Sequence, residues 1–127
     1  MKGIPQILHV KLSVGSYPGS AYEVSVDFVE ELAEYQVLDC IYRPSQNKTV
    51  KLSEEQIKQY LKSLHEVKIF QWKPEYKLNF LPCAGTNWSI EIKTVEKVYI
   101  LKGYKAYPEK WEQFLKNTAI LIGESFD

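Results

Sequence analysis

The chain has 127 residues, of which 45% are hydrophobic and 25% charged, the size and composition of one globular domain. Its net charge is zero and Arg43 is its one arginine, which disfavours nucleic-acid binding because that function uses a basic surplus and arginine contacts. No apolar run approaches the roughly 20 residues that span a bilayer, and the first residues lack a signal-peptide core, so we expect a cytoplasmic protein with no membrane partner.

The N-terminal third alternates between apolar and polar residues, as strands with one buried face do. Residues 7–14 and 22–28 flank a segment rich in turn formers, which predicts an antiparallel hairpin. Residues 30–34 are expected to form a short turn or a helical turn. Residues 35–43 are apolar on both parities, which predicts a central strand covered on both faces. The turn formers at 44–47 are expected to end this strand.

A helix start is well marked in the middle of the chain. Ser53 is the expected N-cap, and Gln56 three residues later completes a capping box. An apolar stripe at helical spacing follows, and we expect the helix to end near residue 65 or 66. Residues 67–72 and 76–81 are predicted as two short strands that flank a turn.

The C-terminal third reads as two strands followed by a helix. Residues 88–94 alternate cleanly, whereas the strand predicted at 97–102 is apolar on both parities and is expected to be interior. Pro108 suits the first position of a helix, and Gly123 suits its C-terminal cap. The whole pattern predicts a single α+β domain: a largely antiparallel sheet of about five to seven strands with two helices packed on one face.

Charge is unevenly distributed along the chain. Residues 1–42 hold two lysines and six carboxylates, a net charge of −4, and no Lys or Arg lies between Leu12 and Tyr42. This segment either offers an acidic face to a basic protein partner or is a solvated face without one. A run of exposed acids does not supply the two unlike carboxyl environments that acid–base catalysis needs. The candidate binding residues are Glu23, Asp27, Glu30, Glu31 and Glu34.

The residue types that carry catalysis are few and scattered. Cys83 lies in a predicted loop, but nothing in the spacing brings His9 or His65 to it as a base. Cys40 is expected to be a small core residue. The sequence has no Cys-x-x-Cys, no His-x-x-x-His and no calcium-type acidic loop. We therefore expect no catalytic residue, no metal and no cofactor.

Aromatic content is the strongest indication of binding. Trp72, Tyr76 and Trp88 lie close to lysines such as Lys73, an arrangement that can stack on a ligand or anchor a protein partner. The alternative is that these rings form the core and the seam between sheet and helices. A small-ligand or enzymatic pocket near Cys83, Trp72 and Trp88 is therefore the second functional hypothesis.

The C-terminal third also carries a recognisable pattern. It reads Trp-x-Ile-x-Ile from Trp88, then Gly-Tyr-x-Ala-Tyr-Pro-x-x-Trp-x-x-Phe-Leu from Gly103. This pattern resembles the close of several families of small uncharacterised bacterial proteins, some of them immunity-type partners of secreted toxins. The resemblance implies a small bacterial α+β domain and carries over no catalytic residue. The first functional hypothesis is thus a non-catalytic protein-binding module, with homo-oligomerisation through an open sheet edge compatible with it.

Overall fold

The computed structural model describes residues 6–17, 21–38, 44–77, 85–104 and 106–123. In these ranges a seven-stranded sheet is accompanied by two α-helices and one 3₁₀ turn. The elements in chain order are β1 (Ile7–Tyr17), β2 (Ala21–Asp27), β3 (Leu32–Leu38), β4 (Pro44–Lys51), α1 (Glu54–Glu66), the 3₁₀ turn (Ile69–Gln71), β5 (Glu75–Lys77), β6 (Gly85–Thr94), β7 (Val98–Tyr104) and α2 (Trp111–Ile122).

The strands lie in the order β4-β3-β2-β1-β6-β7-β5. Neighbouring strands are antiparallel, apart from β5 and β7, which are parallel. β1 forms the predicted hairpin with β2 and also pairs with β6, so it joins the two halves of the sheet. The predicted α+β class, the largely antiparallel sheet and the two helices are confirmed. Neither helix in the described ranges is both long and apolar enough to cross a lipid bilayer.

Both helices cover one face of the sheet, and no described helix or turn covers the other, which we call the bare face. Successive side chains of a strand point to opposite faces, so buried Val10 and Ile90 alternate with Lys11 and Glu91. The buried side chains form one cluster with residues of both helices. The largest of its fully buried side chains are Val10, Leu12, Val24, Val26, Leu64, Val67, Ile69, Ile90, Ile92, Phe114 and Ile122.

The start of α1 follows the sequence prediction. The Ser53 hydroxyl accepts the backbone N–H of Gln56 at 3.1 Å, and the Gln56 side-chain oxygen accepts the backbone N–H of Ser53 at 2.9 Å. These two bonds satisfy donors that the first turn of a helix leaves without partners. The predicted capping box is therefore confirmed.

The segment after α1 is not the predicted strand at 67–72. Val67 caps the helix, Lys68 has a left-handed backbone with φ 55°, and Ile69–Gln71 forms the 3₁₀ turn. Val67 and Ile69 are buried against the core. A short apolar run has the same appearance in a buried strand and in a buried helix end, which explains the error. Of the strand predicted at 76–81, β5 contains the first part, and residues 78–81 lie outside the described residues.

The predicted central strand at 35–43 is wrong in position and in its bounds. β3 begins at Leu32 because the Asp27 carboxylate accepts the backbone N–H groups of Val29 and Glu30, each at 2.9 Å, and closes a tight turn. The strand lies second from one sheet edge and has one bare face. Residues 39–43, including Cys40, lie outside the described residues.

The edge strand β4 begins where the sequence predicts a strand end, at 44–47. The sequence of β4 is polar and shows no apolar alternation, because an edge strand with one bare face buries few side chains. Proline is tolerated at Pro44 because it is the first residue of an edge strand, where no ladder donor is needed.

β7 is not the interior strand predicted from its apolar run. Val98 is 44% exposed and Ile100 is 59% exposed on the bare face. The strand β5 pairs only with Lys102–Tyr104, so the first half of β7 has a described strand, β6, on one side only.

The second helix begins later than predicted and ends as predicted. Pro108 lies in the turn before α2, where its carbonyl accepts the N–H of Trp111 at 3.2 Å. Gly123 caps the helix with φ 73° and donates its N–H to Ala119 at 2.8 Å. A left-handed C-cap is a position that glycine fills without strain.

Candidate functional site

The bare face of the sheet is acidic on β2 and β3. Glu23, Asp27 and Glu34 lie on it, because they alternate with the buried residues of the same strands. Glu34 pairs with Ser25, which lies between the other two on β2. Diagonal neighbours of this kind have Cα atoms about 7–8 Å apart. The structure therefore brings three of the five predicted acidic residues together, and we call Glu23, Asp27 and Glu34 the acidic strip.

The other two predicted acids lie at the end of this strip. Glu30 and Glu31 are exposed in the β2–β3 turn, where Glu31 has φ 59° and its carbonyl accepts the N–H of Leu52 at 2.9 Å. Asp27 already accepts two backbone N–H groups of that turn. In the described residues, no ion pair joins Glu23 or Glu34 to a lysine. On the acidic strip, Glu23 and Glu34 are thus the carboxylates that the turn does not use.

The other half of the bare face carries both charges and apolar groups. Lys11 on β1, Lys93 on β6 and Lys102 on β7 point to this side. Glu91 lies opposite Lys11, and Glu75 of β5 lies opposite Lys102. Val98 and Ile100 lie beside Lys93 and Glu91 of the neighbouring strand.

The acidic strip also has lysines beside it. Lys11 and Lys51 are diagonal neighbours of its carboxylates on the adjacent strands. The bare face thus presents a local acidic strip within a surface of mixed charge and exposed aliphatic groups, and such a surface favours recognition of a partner by charge complementarity.

A cleft of about 470 Å³ lies at one end of the bare face. Its floor consists of the small residues Ser13, Gly15, Ala21 and Ser89. Glu23 lines one wall and Lys102 the other. These two residues are three strand spacings apart, about 14 Å. Glu75 also lines the wall of Lys102, beside which it lies on β5. The cleft has the volume of small-molecule sites and a charged lining in which two carboxylates face one lysine.

The predicted aromatic residues lie on the covered side. The rings of Tyr76 and Trp88 are 5.9 Å apart, and those of Trp88 and Trp111 are 4.6 Å apart. The array continues from Trp111 to Phe114 at 5.9 Å and from Phe114 to Trp72 at 5.8 Å. These rings fill the seam between the sheet and α2, and Tyr76 and Trp88 also border the cleft.

Both indole donors of this array have internal partners. The N–H of Trp72 donates to the Val67 carbonyl and that of Trp88 to the Ala106 carbonyl, each at 2.9 Å. Gly103 allows the second arrangement, because a Cβ at that position would collide with the Trp88 ring. The two tryptophans therefore have structural tasks on the covered side.

The candidate catalytic groups are not brought together. His9 lies on the bare face at one end of β1, and His65 is exposed in the last turn of α1. Cys83 lies outside the described residues. In the described ranges, no group of three or more His, Cys, Asp or Glu side chains has the geometry of a metal site.

The cleft floor was not predicted from the sequence. Gly15 begins a segment rich in turn-forming residues, yet it lies inside β1 opposite Ala21 and Asn87. A Cβ on Gly15 would lie 3.2 Å from the Cβ of Ala21. Small residues at alternate positions of neighbouring strands indicate such a floor, but they can be recognised as a group only when the strand register is known.

No protein-family model and no curated protein matched the chain.

Proposed function

We propose that this protein is a non-catalytic protein-binding domain, and that its bare sheet face binds a basic protein partner. The observation that carries the proposal is that Glu23 and Glu34 share an uncovered face with no described ion-pair partner. Desolvating a carboxylate costs free energy that a cationic partner offsets. The three carboxylates of the acidic strip outnumber Lys11 and Lys51, the two lysines on the adjacent strands beside it. This part of the face therefore selects for basic partners and against acidic ones.

The pattern at the C-terminal end supports a finer proposal. It resembles bacterial families that include immunity-type partners of secreted toxins, so the partner we propose is a basic toxin domain met in the cytoplasm. Such a domain inhibits by binding and needs no chemistry of its own. The exposed side chains of Val98 and Ile100 add apolar contact area to the same face.

Charge reversal on two faces tests this proposal. The variant Glu23→Lys with Glu34→Lys changes the acidic strip, and Glu66→Lys with Glu109→Lys makes the same charge change at exposed positions off the bare face. The partner to use is the protein encoded beside this chain's gene. We expect the first variant to lose affinity by at least about tenfold and the control to lose little, because charges inside an interface matter more than charges outside it.

Calorimetry with both purified proteins measures the affinity, and growth of cells that co-express them measures protection. Equal affinity of the two double variants would contradict the proposal. Thermal unfolding of each variant separates loss of binding from loss of folding.

The cleft supports a second candidate function, binding of a small polar ligand. Its volume of about 470 Å³ suits a small molecule, and its lining of Glu23, Glu75 and Lys102 suits one that carries a cationic group. Replacing Ser89 by Trp fills the floor and should abolish such binding. Saturation-transfer NMR with a panel of free amino acids is the measurement, and absence of any Ser89-dependent signal counts against this function.

A further inference from the structure

A groove of about 550 Å³ lies between α1 and the beginning of β1, away from the bare face. Aliphatic and aromatic side chains from four segments line it, namely Ile7, Phe28, Ile57, Leu61, Ile69 and Phe70. Ile57, Leu61 and Phe70 are only half-buried, although they pack against the core. The groove therefore offers apolar surface from which water is displaced at a gain in free energy.

The polar residues of this groove are confined to its rim and include no described acid. They are Gln6, His65, Lys68 and Gln71. The ammonium of Lys68 carries a full charge, which outweighs the partial negative charge of about half a unit at the C-terminal end of α1. The groove thus joins an apolar interior to a rim that attracts anions.

Lys68 is an unusual residue for its backbone position. Its φ of 55° lies in the left-handed region, which glycine or asparagine occupies more readily after a helix. The backbone alone therefore favours a smaller residue than lysine at this point. Lys68 lines the groove, so a lysine at this position can serve ligand binding although the turn itself does not require one.

From these observations we infer that the groove binds one long-chain carboxylate, a fatty-acid anion, with its chain among the apolar residues and its carboxylate at Lys68. A peptide is a poorer occupant, because its backbone needs hydrogen-bond partners along its whole length and the polar groups here lie only at the rim. This site is separate from the bare face and does not depend on the function proposed for that face.

Calorimetry with monomeric dodecanoate tests the inference, and dodecyltrimethylammonium serves as the probe with the same chain and the opposite charge. Dodecanoate should bind one-to-one and more tightly than the cationic probe. Lys68→Gly should weaken dodecanoate binding about tenfold while raising the unfolding temperature, because glycine relieves the left-handed backbone. The control Lys62→Ala removes an exposed lysine of α1 that does not line the groove and should change neither quantity.

A second variant keeps the test independent of Lys68. Leu61→Gln makes one wall polar at a half-buried position and should weaken both probes alike. Equal affinity of the wild type for the two probes would overturn the inference. So would unchanged dodecanoate affinity in Lys68→Gly, or binding to phosphatidylglycerol vesicles without binding of monomeric dodecanoate. The variant Glu23→Lys with Glu34→Lys should retain dodecanoate binding, which separates this site from the bare face.

Discussion

The covered and bare faces belong to the same strands but are built by different rules. On the covered face the polar groups have partners: Tyr60 and Thr118 share a hydrogen bond of 2.9 Å, and both tryptophan donors reach backbone carbonyls. Among the described residues, no buried side-chain polar atom lacks a hydrogen bond. On the bare face Glu23 and Glu34 have no ion pair in the described residues. The contacts that stabilise the fold are therefore concentrated on the covered face, and side chains of the bare face can contact a partner without loss of those contacts.

Two adjacent residues of β6 give the largest test of this contrast. Ile90 is fully buried on the covered face, and Glu91 is exposed on the bare face. Ile90→Ala should lower the free energy of unfolding by about 2–5 kcal/mol, since it removes buried methyl groups and leaves a cavity. Glu91→Ala should change it by less than about 0.5 kcal/mol. Urea unfolding measures both, and similar losses would show that the bare face is covered in solution.

Two glycines on opposite faces give the next largest effect. At Gly103 an added methyl would collide with the Trp88 ring, so Gly103→Ala should cost about 1–3 kcal/mol. The displaced indole should also shift the tryptophan fluorescence. Gly15→Ala places a methyl 3.2 Å from the Ala21 Cβ in an open cleft. The added methyl at Gly15 meets one atom at this distance, whereas at Gly103 it meets three atoms at shorter distances, so we expect a smaller cost at Gly15, below about 1 kcal/mol. Equal costs would contradict the assignment of Gly15 to the open side.

The same contrast explains which parts of the fold are readable from sequence. Strong alternation predicted the β1–β2 hairpin, and local capping chemistry predicted the start of α1 at Ser53 and the end of α2 at Gly123. These features depend on near neighbours in the chain. The position of β3 and the exposure of Ile100 depend on which strand lies alongside, and that is decided by long-range pairing.

The candidate site was predicted in part for the same reason. The acidic residues were visible as a stretch without lysine, but their common face required the pairing of Glu34 with Ser25. The cleft and the apolar groove each combine residues from four or more segments. A pattern of neighbouring residues in the sequence does not indicate which distant segments come together in the fold.

A third prediction concerns the alkaline stability of the covered face. Burial raises the pKa of Tyr60 above its ordinary value of 10.0, an effect that the hydrogen bond to Thr118 only partly opposes. In the unfolded chain Tyr60 loses its proton near pH 10, whereas the folded protein retains it. Above that pH the unfolded state binds fewer protons, so stability falls as pH rises, by up to about 1.4 kcal/mol per pH unit from this residue.

Tyr60→Phe is the variant that isolates this contribution. It should cost about 1 kcal/mol at neutral pH through the lost hydrogen bond and should have a shallower alkaline decline than the wild type. Tyr107→Phe, at a residue 42% exposed, is the matched control. Urea unfolding between pH 8 and 11 gives the slopes, and identical slopes for wild type and Tyr60→Phe would show that the hydroxyl reaches water in the folded state.

The smallest expected effect tests whether the carboxylates of the acidic strip contribute to the stability of the free protein. Glu34 has Glu23 and Asp27 as diagonal neighbours on β2 and Lys51 as one on β4. Since two carboxylates outnumber one lysine, Glu34→Gln should raise stability by up to about 0.5 kcal/mol at low salt through relief of repulsion. The gain should vanish in 1 M NaCl, where the Debye length is about 3 Å and shorter than the spacing of these groups. Asp27→Ala should instead be destabilising, because it removes the side-chain oxygen that accepts two N–H groups of the β2–β3 turn. A loss of stability in Glu34→Gln at low salt would mean that this carboxylate already has a structural partner, and it would remove the reason for assigning the strip to binding.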